Sequence, residues 1–247
     1  MEIKRDIEGV FYYDTPLHFY DCDYLGRLKL SALLRYLADI AGIDYTLKGY
    51  SHEFLWEHGM VFLIAGESIR FRRVPRSGET LTFATWERGV KGPRYLRDFA
   101  VLDAQGSTVI EASSVWLLAN PETRKILRPD VYDFHMTLHP DLVADVPPVG
   151  KLSRGKELAF GSVHEVRYSD MDGNGHVYNA KYADFAYDAM ERRLAEREPA
   201  TFRINWDSEA TLGDEVSLWF CEEGNTLVCA GKKPDGTLCF ECEVGYC

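Results

Sequence analysis

A short polar turn carries the side chains that are best suited to chemistry. It runs from Asp170 to His176 and presents two carboxylates, a carboxamide and an imidazole, at Asp170, Asp172, Asn174 and His176. A carboxylate and an imidazole held together can exchange protons with a substrate near neutral pH. The turn follows an alternating strand pattern and precedes an amphipathic helix. Free backbone N–H groups are therefore predicted near 175–177, at the helix start, where they could stabilise an oxyanion.

A second copy of this turn lies in the first half of the chain. The segment from Phe19 to Leu28 has aspartates and a glycine at the same spacing, but Arg27 stands at the position of His176. The repetition predicts two related units, of which only the second has the groups for acid–base chemistry.

The same turn also matches part of a calcium-binding loop. Asp170, Asp172, Asn174 and Gly175 occupy positions 1, 3, 5 and 6 of that pattern. Position 12 is Lys181, where a calcium loop needs a bidentate glutamate, so no metal site is predicted. For Asp170 alone, a role in capping the turn is favoured over a catalytic one.

Composition restricts the classes of function. The 247 residues are 46% hydrophobic and 27% charged, and the net charge of −11 argues against a nucleic-acid partner. No apolar run approaches the ~20 residues that span a bilayer, so no membrane partner is predicted. The charged N-terminus does not match a signal peptide, and we expect a cytoplasmic protein with reduced cysteines. Cys239 and Cys242 have no further ligands at zinc spacing.

The order of the predicted elements indicates a duplication. Leucines at helical spacing predict a helix over 28–48, and a second helix with Tyr182 and Phe185 on one face follows the polar turn. Four strands follow each helix, and they are predicted at 61–71, 79–86, 95–102, 108–118, 202–206, 215–221, 226–231 and 238–246. Repeated prolines between 120 and 157 indicate a linker.

A helix wrapped by an antiparallel sheet is the hotdog arrangement. We therefore predict an α+β fold made of a tandem, or double, hotdog with a long helix in each unit. The units are assigned to residues 1–133 and 159–247, with a linker at 134–158. Two units in one chain can bury each other's sheet edges, and a homodimer is a further assembly that the sequence allows. The polar turn is expected near the junction of the units.

At these residues the chain resembles the acyl-acyl-carrier-protein (acyl-ACP) thioesterases, which release fatty acids in bacterial and plant fatty-acid synthesis. Residues 172–182 are similar to the family's Asp-x-Asn-x-His-Val-Asn-Asn-x-Lys-Tyr signature, with a tyrosine at position 178 in place of the first of the adjacent asparagines. In the first half, Thr85-Trp86, Arg97-Asp98, Trp116 and the segment from Asn120 to Pro129 follow the family's order. The resemblance covers nearly the whole chain.

This resemblance implies a set of site residues. The implied catalytic residues are Asp172, Asn174, His176 and Glu209. The first unit has Val74 at the position that corresponds to Glu209, so its implied role is to hold the acyl chain. The candidate substrate-binding residues are Leu33, Leu34, Leu37 and Asn179.

The implied activity is hydrolysis of a fatty acyl-ACP thioester, with acyl carrier protein as the partner and no cofactor. Ala210 stands where many plant relatives carry a cysteine, so water is the favoured nucleophile and Glu209 or His176 the general base. Covalent attack by Asp172 is an alternative mechanism. Acyl-CoA hydrolysis and acyl binding without hydrolysis are the competing functions. An arginine cluster is interpreted either as a solvated strand face or as a docking surface for the acidic carrier: Arg70, Arg72, Arg73 and Arg76.

Overall fold

The computed structural model describes residues 3–247, so the first two residues of the predicted N-terminal unit lie outside the described range. The strands are Ile3–Ile7 (β1), Val10–Pro16 (β2), Val61–Phe71 (β3), Thr80–Lys91 (β4), Arg94–Leu102 (β5), Thr108–Ala119 (β6), Ala159–Glu165 (β7), Pro199–Trp206 (β8), Glu215–Glu223 (β9), Thr226–Lys232 (β10) and Leu238–Tyr246 (β11). The α-helices are Leu30–Leu47 (α1), His52–Glu57 (α2), Lys181–Ala189 (α3) and Arg192–Ala195 (α4).

These strands form one antiparallel sheet that runs through both halves of the chain. Its order is β1, β2, β4, β5, β6, β3, β8, β11, β10, β9, β7. The halves meet where β3 pairs with β8, from Gly66 opposite Asn205 to Arg70 opposite Thr201. Each half thus covers an edge of the other half's sheet, which removes two exposed edges. The predicted α+β double hotdog is confirmed.

The two larger helices contact each other on one side of the sheet. α1 spans 18 residues and buries Leu33, Leu37 and Ile40 at helical spacing. α3 spans only nine residues, so the prediction of a long helix in each unit is wrong for the second unit. The backbone becomes extended at Met190, which ends α3 and separates it from the short helix α4. No helix in residues 3–247 has the length and apolar character needed to cross a membrane.

The segment between the halves forms hydrogen bonds with a strand of each unit. Residues 120–158 contain no strand or α-helix. Ser68 Oγ on β3 donates a hydrogen bond to the carbonyl oxygen of Pro147 at 2.6 Å, and Asn205 Nδ2 on β8 donates to that of Gly150 at 2.8 Å. This segment therefore bridges the junction between the units in addition to connecting them along the chain.

A buried carboxyl group without a partner lies on β3 at the junction. Glu67 is 1% exposed, and neither of its carboxylate oxygens has a hydrogen-bond partner among residues 3–247. It stands opposite Ser114 on one neighbouring strand and Ile204 on the other. Burial raises the pKa of Glu67 well above its ordinary value of 4.5. An unsatisfied acid at this position destabilises the fold.

Replacing Glu67 with methionine is expected to raise the free energy of unfolding by about 1–3 kcal/mol near neutral pH. A raised pKa in the folded state means that the folded protein holds the proton more tightly than the unfolded chain. Wild-type stability therefore falls as the pH rises from the ordinary value toward the folded-state pKa. The gain from Glu67→Met should be larger at about pH 8 than at about pH 5, and urea unfolding at both values measures it.

Glu241 provides the matched control for this prediction. It is also 1% exposed, but its carboxylate accepts hydrogen bonds from Ser153 and from Asn205 Nδ2. Glu241→Met leaves those donors unsatisfied and should destabilise the protein. Equal stability of the wild type and Glu67→Met near pH 8 would contradict the assignment of Glu67 as a destabilising group.

Candidate active site

The polar turn is held by hydrogen bonds among its own residues and is not the start of a helix. Asp172 Oδ1 accepts from the N–H of Asn174 at 2.8 Å and, more weakly, from that of His176 at 3.4 Å. The N–H of Gly175 donates to the carbonyl oxygen of Asp172 at 3.2 Å. Because α3 begins only at Lys181 and these donors are already bonded, the prediction of free helix N–H groups at 175–177 is wrong.

Hydrogen bonds of Ala210, in the loop after β8, place Glu209 beside His176. The N–H of Val177 donates to the carbonyl oxygen of Ala210 at 2.9 Å, and the N–H of Ala210 donates to the hydroxyl of Tyr182 at 3.1 Å. With the neighbouring residue fixed in this way, Glu209 Oε2 lies 3.2 Å from His176 Nε2. The carboxylate and the imidazole, distant in sequence, form one contact pair.

A third side chain, which the sequence reasoning did not assign to the site, joins this pair. Arg124 lies in the loop after β6 of the N-terminal unit. Its Nη1 is 2.9 Å from Glu209 Oε1, and its Nη2 is 3.0 Å from His176 Nε2. The signal that could have found it was the family-like order of the segment from Asn120 to Pro129, to which no function was given. The site therefore draws charged side chains from both units.

The four predicted catalytic residues and Asn179 line one cavity of about 970 Å³ at the junction. Arg124 lines it as well, and so does Trp206, whose Nε1 donates to the carbonyl oxygen of Asn179 at 3.0 Å. Among the described residues, the carboxamide of Asn174 makes no hydrogen bond to a side chain or to the backbone. Its N–H group is therefore available to a bound molecule.

A second cavity, which we call the helix cleft, lies between α1 and the sheet and has a volume of about 520 Å³. The two cavities adjoin because four residues line both: His52, Val61, Phe62 and Trp116. Most other walls of the helix cleft are apolar and aromatic, including Ala38, Ala41, Ile43, Leu55 and Tyr95. A long apolar molecule could thus extend from the junction cavity along α1.

The three leucines predicted to bind substrate lie elsewhere on α1. Leu33, Leu34 and Leu37 are at most 3% exposed, belong to the closed hydrophobic core and line neither cavity. They lie in the N-terminal half of α1, which is enclosed in the core, whereas the helix cleft lies against residues 38–46 in its C-terminal half. The structure thus brings together the four catalytic candidates and Asn179 but leaves these leucines outside the site.

In the corresponding turn of the first unit, the arginine at the position of the histidine is bound to other groups of the protein. Arg27 is 6% exposed and forms an ion pair with Asp23 at 2.7 Å. Its guanidinium also donates to the carbonyl oxygens of Ala195, Glu196 and Arg197 after α4. This arginine anchors the C-terminal end of α4, so the first turn connects the units and presents no free polar group at that position.

Two other groups of the sequence analysis have partners within the protein. Asp170 Oδ2 accepts from the N–H of Arg167 and lies 2.9 Å from His164 Nε2, which is a capping arrangement. Every arginine of the cluster has a carboxylate partner, in the pairs Arg70–Asp145, Arg72–Glu111, Arg73–Glu79 and Arg76–Glu198. The cluster therefore does not present uncompensated positive charge, which favours the interpretation as a solvated strand face.

Two hotdog units that share one sheet place the chain in the double-hotdog class. The model of the acyl-ACP thioesterase N-terminal domain matches residues 8–133, and that of the C-terminal domain matches residues 155–231. The chain belongs to the acyl-ACP thioesterase family.

Known proteins of this family resemble the chain over most of its length. The palmitoyl-acyl carrier protein thioesterase of Cuphea hookeriana is 29% identical over 171 residues, which is 64% of this chain and 40% of that protein. That of Arabidopsis thaliana is 25% identical over 191 residues, 72% of this chain and 46% of the relative. The chain thus spans less than half the length of these plant proteins. The crystal structure of an acyl-ACP thioesterase from Bacteroides thetaiotaomicron, 25% identical, superposes with a TM-score of 0.86 over 96% of this chain and 98% of that one.

Proposed function

We propose that this protein hydrolyses fatty acyl-ACP thioesters and releases the free fatty acid. The observation that carries this proposal is the contact of Glu209 with His176, at 3.2 Å, on the wall of a cavity that adjoins the apolar helix cleft. An acid–imidazole pair beside an apolar cleft suits a substrate with a polar reacting bond and a long hydrocarbon chain. Membership of the acyl-ACP thioesterase family supports the same substrate class.

In this proposal the acyl chain occupies the helix cleft and the thioester lies in the junction cavity. Phe62 and Trp116 line both spaces and would contact the first carbons of the chain. Part of the cleft wall is a buried ion cluster, in which Arg97 pairs with Asp44 at 2.9 Å and with Glu87 at 2.6 Å. These ions are mutually paired and costly to separate, so they form a firm part of the wall against which the chain would lie.

The hydrogen-bonding roles at the site favour Glu209 as the general base. His176 Nε2 lies within hydrogen-bond reach of both Glu209 Oε2, at 3.2 Å, and Arg124 Nη2, at 3.0 Å, so this nitrogen is engaged whichever tautomer the imidazole adopts. The Glu209 carboxylate has further lone pairs on its two oxygens beside these contacts and can take a proton from water.

Hydrolysis then needs no covalent enzyme intermediate. A water molecule attacks the thioester carbonyl carbon as Glu209 takes one of its protons. The resulting oxyanion accepts a hydrogen bond from the free carboxamide of Asn174, which Asp172 positions through the turn. When the C–S bond breaks, the proton on Glu209 passes to the departing thiolate, giving the fatty acid and the free thiol of the carrier. None of the described side chains that line the junction cavity is a cysteine.

The test is a thiol-release assay with the full chain. Matched acyl-ACP and acyl-CoA substrates of several chain lengths should both be offered at equal concentration. We expect turnover of the acyl-ACP series with higher kcat/KM than the CoA series. Higher kcat/KM for acyl-CoA would favour the competing carrier, and tight binding of acyl chains without thiol release would indicate an acyl-binding protein. The cytoplasmic location and the homodimer stay predictions from the sequence.

A further inference from the structure

We propose that Arg124 is a positioning residue through which the N-terminal unit holds Glu209 and His176 in their working arrangement. This inference rests on the proposed thioester hydrolysis. Arg124 is the one described side chain of the N-terminal unit that contacts both members of the pair, at 2.9 Å and 3.0 Å. The C-terminal unit would then supply the reacting groups and the N-terminal unit their orientation.

The backbone at Arg124 is held in an unfavourable conformation. Its φ is +59°, a left-handed value that residues with a side chain rarely adopt. The loop enforces it: Asn120 Oδ1 accepts from the N–H groups of Glu122 and Thr123, at 3.1 Å and 2.8 Å, and the N–H of Arg124 donates to the carbonyl oxygen of Asn120. Asn120 Nδ2 is in turn anchored to the carbonyl oxygen of Gly59 at 3.1 Å. A conformation that costs stability and is still enforced points to a functional requirement.

The shape of the guanidinium explains why an arginine is needed at this position. Its two terminal nitrogens contact different side chains, Glu209 at Oε1 and His176 at Nε2, so the planar group fixes the separation of the two. A lysine ammonium is a point charge and cannot hold both side chains in one plane. Without the guanidinium, Glu209 is exposed to solvent and free to rotate away from the imidazole.

Arg124→Gly is the most informative variant because glycine adopts a positive φ without strain. We expect it to unfold at the same temperature as the wild type or higher, while its kcat on acyl-ACP falls by about 10²-fold with little change in KM. Added guanidinium ion should restore part of this lost kcat, which a purely structural role would not predict. Arg124→Lys should keep the charge and recover only a small part of the activity.

Arg128→Gly is the matched control. Arg128 lies in the same segment and has a side chain that is 86% exposed; within residues 3–247 it pairs only with Asp130. Its variant should keep the wild-type kcat and show no response to guanidinium. If Arg124 acts through Glu209, the double variant Arg124→Gly with Glu209→Gln should be no slower than Glu209→Gln alone.

The outcomes separate this inference from the proposed function. An active wild type together with an Arg124→Gly variant of unchanged kcat would overturn the role of Arg124 and leave the hydrolase proposal standing. Losses that multiply in the double variant would also overturn it. A wild-type protein that is inactive on every thioester would instead overturn the proposed function, and the role of Arg124 with it.

Discussion

Replacing Glu209 with glutamine is expected to lower kcat on acyl-ACP by about 10²–10⁴-fold, the usual cost of removing a positioned general base. Glutamine keeps the shape of the side chain and can still accept a hydrogen bond from Arg124, but it cannot take a proton from water. KM should change little because the proposed place of the acyl chain is the helix cleft, which Glu209 does not line. Steady-state thiol release with a single acyl-ACP substrate measures both constants.

A neighbouring carboxylate provides the control for this variant. Asp207 lies two residues before Glu209 and lines the same cavity, but its carboxylate pairs with Lys151 at 3.1 Å. Asp207→Asn should therefore keep kcat within a few-fold of the wild type. His176→Ala should lose activity as Glu209→Gln does, and the double variant should lose no more than either alone, since the pair acts as a unit. Wild-type kcat in a folded Glu209→Gln variant would remove Glu209 from the mechanism.

The fold could be predicted where its signals are local. β3 and β11 have the bounds that β-branched and aromatic residues between turn signals predict, 61–71 and 238–246, because both signals lie within the segment itself. β1 was not predicted. Its sequence, Ile-Lys-Arg-Asp-Ile, carries three charges, and it forms a strand because a tight turn at Glu8 and Gly9 pairs it with β2. Such an edge strand depends on its partner and not on its own composition.

Some residues of the site could likewise be predicted from a local motif, whereas others meet only through the order of the strands in the sheet. The turn from Asp172 to His176 is a local motif, and the family resemblance added Glu209. The contact of Arg124 with both depends on β3 lying between β6 and β8, which brings the loop after β6 beside the loop after β8. For α1, helical spacing identifies the buried stripe, but periodicity cannot show where along that stripe the core gives way to a cavity. Ala41 continues the stripe of Leu33 and Leu37 and lines the helix cleft, whereas the leucines are enclosed in the core.

Filling the helix cleft at Gly42 is expected to shift the chain-length preference toward shorter acyl groups. Gly42 lies on α1 and lines the cleft, and a Cβ atom built there would meet no other atom within 4 Å. Gly42 is exposed at the cleft wall, so leucine is accommodated there without a clash and favours the helix. The paired ions at Arg97 in the cleft wall are costly to separate, so the wall does not widen and the space that the leucine occupies is lost to the substrate.

The expected result for Gly42→Leu is a loss of kcat/KM of at least about 10-fold on the longest acyl-ACP that the wild type accepts, because each misfitted methylene costs about 10–200-fold in specificity. The shortest substrates should be hydrolysed at the wild-type rate, since their chains end before the obstruction. Competition among acyl-ACP substrates of graded length, with the released fatty acids quantified, measures this shift directly. Gly42→Ala is the control: it should stabilise the protein by about 0.5–1 kcal/mol through its helix propensity and leave the preference nearly unchanged. A uniform loss on all chain lengths would mean that the acyl chain does not lie along α1, because an obstruction inside its path must discriminate by length.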